Sequence, residues 1–110
     1  MFDSNAGLTH EEKLKLLISE VLWKRKIYGL PKEVSEEMER IAIELKVPAR
    51  EDCVRNYIAA YMVVKGLMSR ATADRVVASS SKGRQHWEKK IREYLFPLRP
   101  FEIEFIEPED

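Results

Sequence analysis

The sequence predicts an all-α protein, and three observations predict it. Apolar residues return every three or four positions through most of the chain, which is the period of a helix with one buried face. These stretches open on Thr or Ser and close at Gly or Pro, the residues that cap and break helices. Strand-like alternation is confined to the last twelve residues, 99–110.

Each helix follows from its own signals. Thr9 with Glu12 three residues on forms a capping box, and "EEKLKLLISEVLWKRKI" puts Leu14, Leu17, Ile18, Val21 and Leu22 on one stripe, predicting a first helix over residues 10–27. Gly29 and Pro31 interrupt it. Ser35 can cap a second helix over 36–46 that turns Met38, Ile41, Ala42 and Leu45 inward, and Pro48 closes it. A third, over 51–64, buries Val54, Ile58, Tyr61 and Met62 and stops near Gly66, a residue suited to the left-handed end of a helix. "LMSRATADRVVAS" gives a short fourth helix over 71–79. After the polar break "SSSKG" a fifth runs over 84–96, with Trp87, Ile91, Tyr94 and Leu95 inward, until Pro97 and Pro100 forbid continuation.

Displacing the chain by 33 residues sets Val54 on Trp87, Ile58 on Ile91, Tyr61 on Tyr94 and Met62 on Leu95. In both copies a helix and a break come first. The expected organisation is therefore an N-terminal helix, residues 1–33, packed on a first helix-turn-helix unit, 34–66. A second unit, 67–98, shares its core, and 99–110 form a short extended acidic tail.

Composition bounds the function. A chain of 110 residues can bury one core without staples, and its single cysteine, Cys53, excludes an internal disulfide framework. His10, His86 and Cys53 make no ligand cluster at zinc spacing, so no metal or cofactor is expected. No glycine-rich phosphate loop, paired carboxylates or serine, histidine and acid set can be assembled, so no enzyme is expected. Cys53 itself reads as a small buried hydrophobe without a dyad partner. The amino terminus has no basic region followed by an apolar run, and no apolar run spans a bilayer, so a cytoplasmic chain with no membrane partner is expected. With 35% charged residues, one Gln and two Asn, the composition leans towards a thermophilic source.

The zero net charge is unevenly laid out. Residues 1–52 carry a balance of −2, residues 53–98 of +6 and residues 99–110 of −4. The basic surplus falls on the second helix of both candidate units. Outward on the first would be Arg55 and Asn56, with Arg50 in the turn ahead; on the second, Arg84, Gln85, Lys89 and Arg92, with Ser80, Ser81 and Lys82 ahead. Arg can bond guanine twice, Asn and Gln can do so with adenine, and Ser and Lys hold phosphates, so these ten residues are the candidate contacts to double-stranded DNA. A charged outward face is also what any solvated surface helix carries. Trp87, Tyr61 and Tyr94 lie on the apolar stripe and read as core, and His86 as an exposed residue beside it.

The stretches "IAIELKV" and "CVRNYI" look like a helix-turn-helix signature in which Ile-Ala-x-x-Leu-x-Val precedes the turn and Val-Arg follows. Two such units in one small chain resemble the archaeal CRISPR repeat-binding proteins, which bind the repeats of CRISPR arrays and modulate their transcription. That resemblance implies a sequence-specific, nucleoid-associated monomer whose groove contacts would be Arg50, Arg55 and Asn56 in unit one and Lys82, Arg84, Gln85, Lys89 and Arg92 in unit two. It departs from the family in a longer turn, Val47 to Val54, and in a second unit without glycine and valine at its turn. "LKVP", "VKGL" and "VVASS" stand in the order found in a cyclin-type repeat of archaeal transcription factor B, a rival resemblance that also implies a transcription-linked role. Against it, "GRQHWEKKIREYL" is short, charged and soon stopped by Pro97.

A third reading is a helical protein adaptor. In "FEIEFIEPED" the apolar residues Phe101, Ile103 and Phe105 alternate with Glu102 and Glu104, the pattern of a strand with one covered face. This tail is the candidate for a protein partner. It can fold back on the helices, add to a partner's sheet edge or stay loose.

Overall fold

The computed structural model describes residues 7–97, and its regular elements there are five helices: α1 (His10–Lys24), α2 (Lys32–Glu44), α3 (Glu51–Val64), α4 (Arg70–Val76) and α5 (Ser81–Leu95). The protein is all-α, as the periodicity predicts. The extended acidic tail expected at 99–110 lies outside the described residues.

Helix ends explain where the boundaries differ from the sequence-based ones. The capping box of Thr9 and Glu12 forms, each residue bonding the other's backbone N–H. α1 stops at Lys24 rather than 27 because Lys26 adopts a left-handed backbone, φ 60°, and Ile27 donates back to the Leu22 carbonyl. α2 closes the same way through Lys46, φ 57°, with Val47 N–H on Ala42, and α3 through Gly66, φ 75°, with Leu67 N–H on Met62. Each hook satisfies otherwise orphaned carbonyls, and the first two return an apolar residue, Ile27 and Val47, to the body, whereas Leu67 stays exposed. α2 begins at Lys32, not 36, because Pro31 presets the entry and its carbonyl accepts from Val34 and Ser35. Ser35 therefore sits inside the helix instead of capping it. α4 opens one residue early on the Ser69 cap, whose hydroxyl accepts from Thr72, and ends at Val76. α5 begins three residues early, with Ser80 as cap accepting from Gly83.

α3 is the central helix. It contacts all four of the others, and Val54 and every residue from Asn56 to Met62 are buried. α1 contributes Leu14, Ile18 and Val21, α2 contributes Met38, Ile41 and Ala42, and α5 contributes Trp87 and Ile91 to the same core cluster. Leu17, Leu22, Leu45 and Leu95 are only half-buried around it. Tyr94, expected inward, is exposed.

Two tyrosines tie α2 to α3. The Tyr57 hydroxyl, buried, donates to the Met38 carbonyl at 2.6 Å. The Tyr61 hydroxyl donates to the Glu37 carboxylate at 2.6 Å, and Lys65 Nζ reaches the same carboxylate at 3.0 Å. Burial pushes the Tyr57 phenol upward in pKa; burial and then Glu37 do so for Tyr61. Trp87 meets Tyr57 edge-on, ring centres 6.3 Å apart, so the anchor of α5 rests on the anchor of α2. Trp87→Ala is expected to cost about 3 to 5 kcal/mol, as large aromatic deletions from a core do. Chemical denaturation checks it, and an unchanged midpoint would contradict the burial.

Asn56 fixes the start of α5. Only 9% exposed, it accepts through Oδ1 from Ser79 N–H at 3.0 Å and Ser80 N–H at 3.2 Å. A Cβ at position 83 would overlap the Asn56 amide, so Gly83 is required by closeness rather than by backbone angle. Asn56→Ala should cost about 1 to 3 kcal/mol by orphaning the turn's donors. Gly83→Ala should destabilise as well, but the double variant should cost less than the sum, because the overlap disappears with the amide. Thermal melts of the three variants check this; strict additivity would show that the two residues do not meet.

Candidate nucleic-acid interface

The ten residues expected to face a duplex separate into two groups. Asn56 and Arg84, expected outward, are buried, and the reason is tertiary pairing. Arg84 is 3% exposed; its Nε donates to Asp74 on α4 at 2.7 Å and its Nη1 to Glu88 one turn along α5. Arg70 of α4 and Arg92 of α5 reach Glu88 from its other side, at 3.1 and 3.3 Å. This ionic cluster holds α4 against α5. Arg84 is thus a structural cation rather than a base reader, and Asn56 is a turn clamp.

The first unit keeps little that could read DNA. α3 is enclosed from Asn56 to Met62, so it is the centre of the fold instead of the exposed second helix of a unit. Its first turn exposes Glu51 and Asp52, which would repel phosphate. Arg50 is exposed but lies against Asp52 at 3.4 Å and donates to Cys53 Sγ at 3.2 Å. Arg55 is half-buried, with its Nε shielded and without a hydrogen-bond partner.

The second group is exposed and falls on one element. Ser80, Ser81, Lys82, Gln85, Lys89 and Arg92 are all exposed. Along α5 the last four stand at i, i+3, i+7 and i+10, one stripe about 15 Å long opposite the face that carries Trp87 and Ile91. Sequence reasoning missed Lys90, and Arg70 and Arg75 of α4, which add exposed cations to the unit. Lys90 could have been found from its place beside Lys89. Glu93 is the exposed carboxylate of α5. His86 is exposed and stacks edge-on against Trp87, ring centres 4.9 Å apart. Among the described residues no group of three His, Cys, Asp or Glu is placed to hold a metal ion, and no helix is long and apolar enough to cross a membrane.

Compared with protein-family models, with curated proteins and with solved structures, the chain gives no match.

The cluster sets a pH dependence. The hydrogen bond from Arg84, with its charge, lowers the Asp74 pKa. Burial pushes Glu88 up, but the bonds and charges of Arg70 and Arg84 outweigh it, and the net pKa is lowered from 4.5. Carboxylates lowered by folding contribute stability that is complete above their unfolded pKa and is lost as pH falls through the folded one. The melting temperature should therefore fall as pH drops below about 4.5, towards the lowered values. Arg84→Met should destabilise at neutral pH by about 3 kcal/mol, since Glu88 stays buried with fewer partners, and should flatten the acid limb. A variant as stable as the parent, with the same acid limb, would show the cluster to be idle.

Proposed function

We propose that the protein binds double-stranded DNA through α4, the turn at 77–80 and α5, with the exposed stripe of α5 against the duplex. The observation that supports this reading is the pairing of two faces on one helix. One face is fixed by Trp87, Ile91 and the Arg84 cluster; the other presents Lys82, Gln85 and Lys89 to solvent, together with Arg92, which is exposed while also reaching Glu88 at 3.3 Å. A rigidly seated helix with cations and a carboxamide in one line offers phosphate anchors and a base-edge contact together. One reading helix, in place of the two expected, follows from the enclosure of α3. The resemblance to CRISPR repeat-binding proteins makes the organism's own CRISPR repeat the first duplex to try, with changed transcription of the array as the consequence. A monomer in the cytoplasm, associated with the nucleoid, goes with that role.

Footprinting and fluorescence titration against the repeat and a scrambled duplex, at two salt concentrations, test it. Lys82→Ala, Lys89→Ala and Arg92→Ala should weaken all duplexes alike and each lower the salt slope by about 0.9, because a lost phosphate contact releases no counterion. Gln85→Ala should instead cost about 1 to 3 kcal/mol on the preferred site and relax its preference. Identical behaviour of all four variants on both duplexes would leave a general basic face. Absence of any footprint would remove the DNA reading and favour the adaptor.

A further inference from the structure

The Glu88 cluster has a surface as well as an interior. Arg84, Glu88 and Arg92 stand at i, i+4 and i+8 on α5, and Arg70 and Asp74 at i and i+4 on α4. Arg84 meets Asp74 while Glu88 meets Arg70, so the two helices run antiparallel and their facing stripes alternate in charge. Arg84 is spent inside: its Nε and Nη2 donate to the two oxygens of Asp74 and its Nη1 to Glu88 Oε2. Glu88 Oε1 is left for the outer pair. It accepts from Arg70 Nε at 3.3 Å and Nη2 at 3.1 Å, and from Arg92 Nη1 at 3.3 Å. Two guanidinium groups from different helices therefore converge on one oxygen. The Glu88 side chain beneath them is 4% exposed, whereas those of Arg70 and Arg92 are 59% and 47% exposed.

The cluster carries more cation than it neutralises. Three guanidinium groups meet two carboxylates, so one positive charge stays uncompensated within it. Each guanidinium has five N–H donors, of which Glu88 takes two from Arg70 and one from Arg92. The others meet no acceptor among the described residues. Tethering both groups to one oxygen also removes in advance part of the side-chain freedom that two loose arginines would lose on binding. We propose that Arg70 and Arg92 form a site for one phosphate group, held across the gap between α4 and α5. A phosphate has free oxygens enough to accept from both guanidinium groups at once, and such charge-assisted bonds are roughly twice as strong as neutral ones. As part of the DNA reading, on which this use of it rests, the site takes one phosphodiester of the duplex, since Arg92 also ends the exposed line of Lys82, Gln85 and Lys89. Free inorganic phosphate is the other source of the same chemistry.

One test uses inorganic phosphate and the parent chain alone. Titrated at constant ionic strength against chloride, phosphate should shift the Nε–H resonances of Arg70 and Arg92 together, with one midpoint, and leave those of the exposed Arg50 and Arg75 in place. Any other pattern, equal drift of all four or a shift at one member of the pair included, overturns the site. A second test uses the duplex. Arg70→Met and Arg92→Met should each weaken binding by about ten-fold and lower the salt slope by about 0.9, and the double variant should do no more than either, because one phosphate is lost in every case. Losses that multiply to about a hundred-fold, with the slope lowered by about 1.8, would assign two separate phosphates and overturn the shared site. The two readings fail separately. A duplex that does not bind while phosphate moves the pair removes the DNA reading and keeps the site; a duplex that binds while phosphate moves neither arginine does the reverse. The phosphate titration needs no variant, so a substitution that unfolds the chain leaves the site still decided.

Discussion

The burial of α3 on every side is the constraint from which the rest follows. A helix that meets solvent on one face needs one partner layer, but a helix enclosed from Asn56 to Met62 needs neighbours all round it. α1, α2, α4 and α5 supply them, and their own apolar stripes are consequently single-sided. Within the enclosed stretch from Asn56 to Met62 polar atoms are paired: the Tyr57 hydroxyl with the Met38 carbonyl, Asn56 Oδ1 with the turn before α5. A buried polar group left without a partner would cost more than it could contribute. The same enclosure leaves the exposed cations of this half of the chain on α4 and α5 rather than on the body of α3.

Much of this was legible in the sequence, and the exceptions have physical reasons. Five helices and their order follow from Pro31, Pro48, Gly66 and the Ser and Thr caps, because breakers act locally. The limits of α3 are those expected from residues alone. Arg84 was misplaced because a charge reads as solvated unless its partner is known, and that partner, Asp74, sits ten residues away across a turn. Its phase held a warning: Arg84, Glu88 and Ile91 share the face that Trp87 borders. Asn56 was misplaced for a different reason. The run "YIAAYMVV" that follows it is apolar without interruption, the mark of a helix with no outward side, so assigning one was the error.

The candidate site divides along the same line. Exposed residues on a single helix, Lys82, Gln85, Lys89 and Arg92, were found by spacing, since period and exposure suffice to place them. Residues whose role depends on what another helix brings were not. Arg84 and Asn56 now belong to the scaffold that holds the stripe in position, which is a function one step removed from contact. The ionic cluster and the Asn56 clamp both act on the α4–α5 junction, one through the Arg84–Asp74 pair and one through the Ser79 and Ser80 N–H groups, so the first turn of α5 is held twice.

The two left-handed lysines carry a further consequence. Lys26 and Lys46 end α1 and α2 with backbone angles that suit glycine, and a side chain there costs about 1 kcal/mol or more. Gly66 does the same work at the end of α3 without that strain. The molecule thus keeps a cation, at a cost in stability, at the end of α1 in one case and beside Tyr94 in the other. Lys26 and Lys46 put a positive charge just past the C-terminal ends of α1 and α2, where it meets the negative end of each helix dipole and a glycine would only have turned more easily.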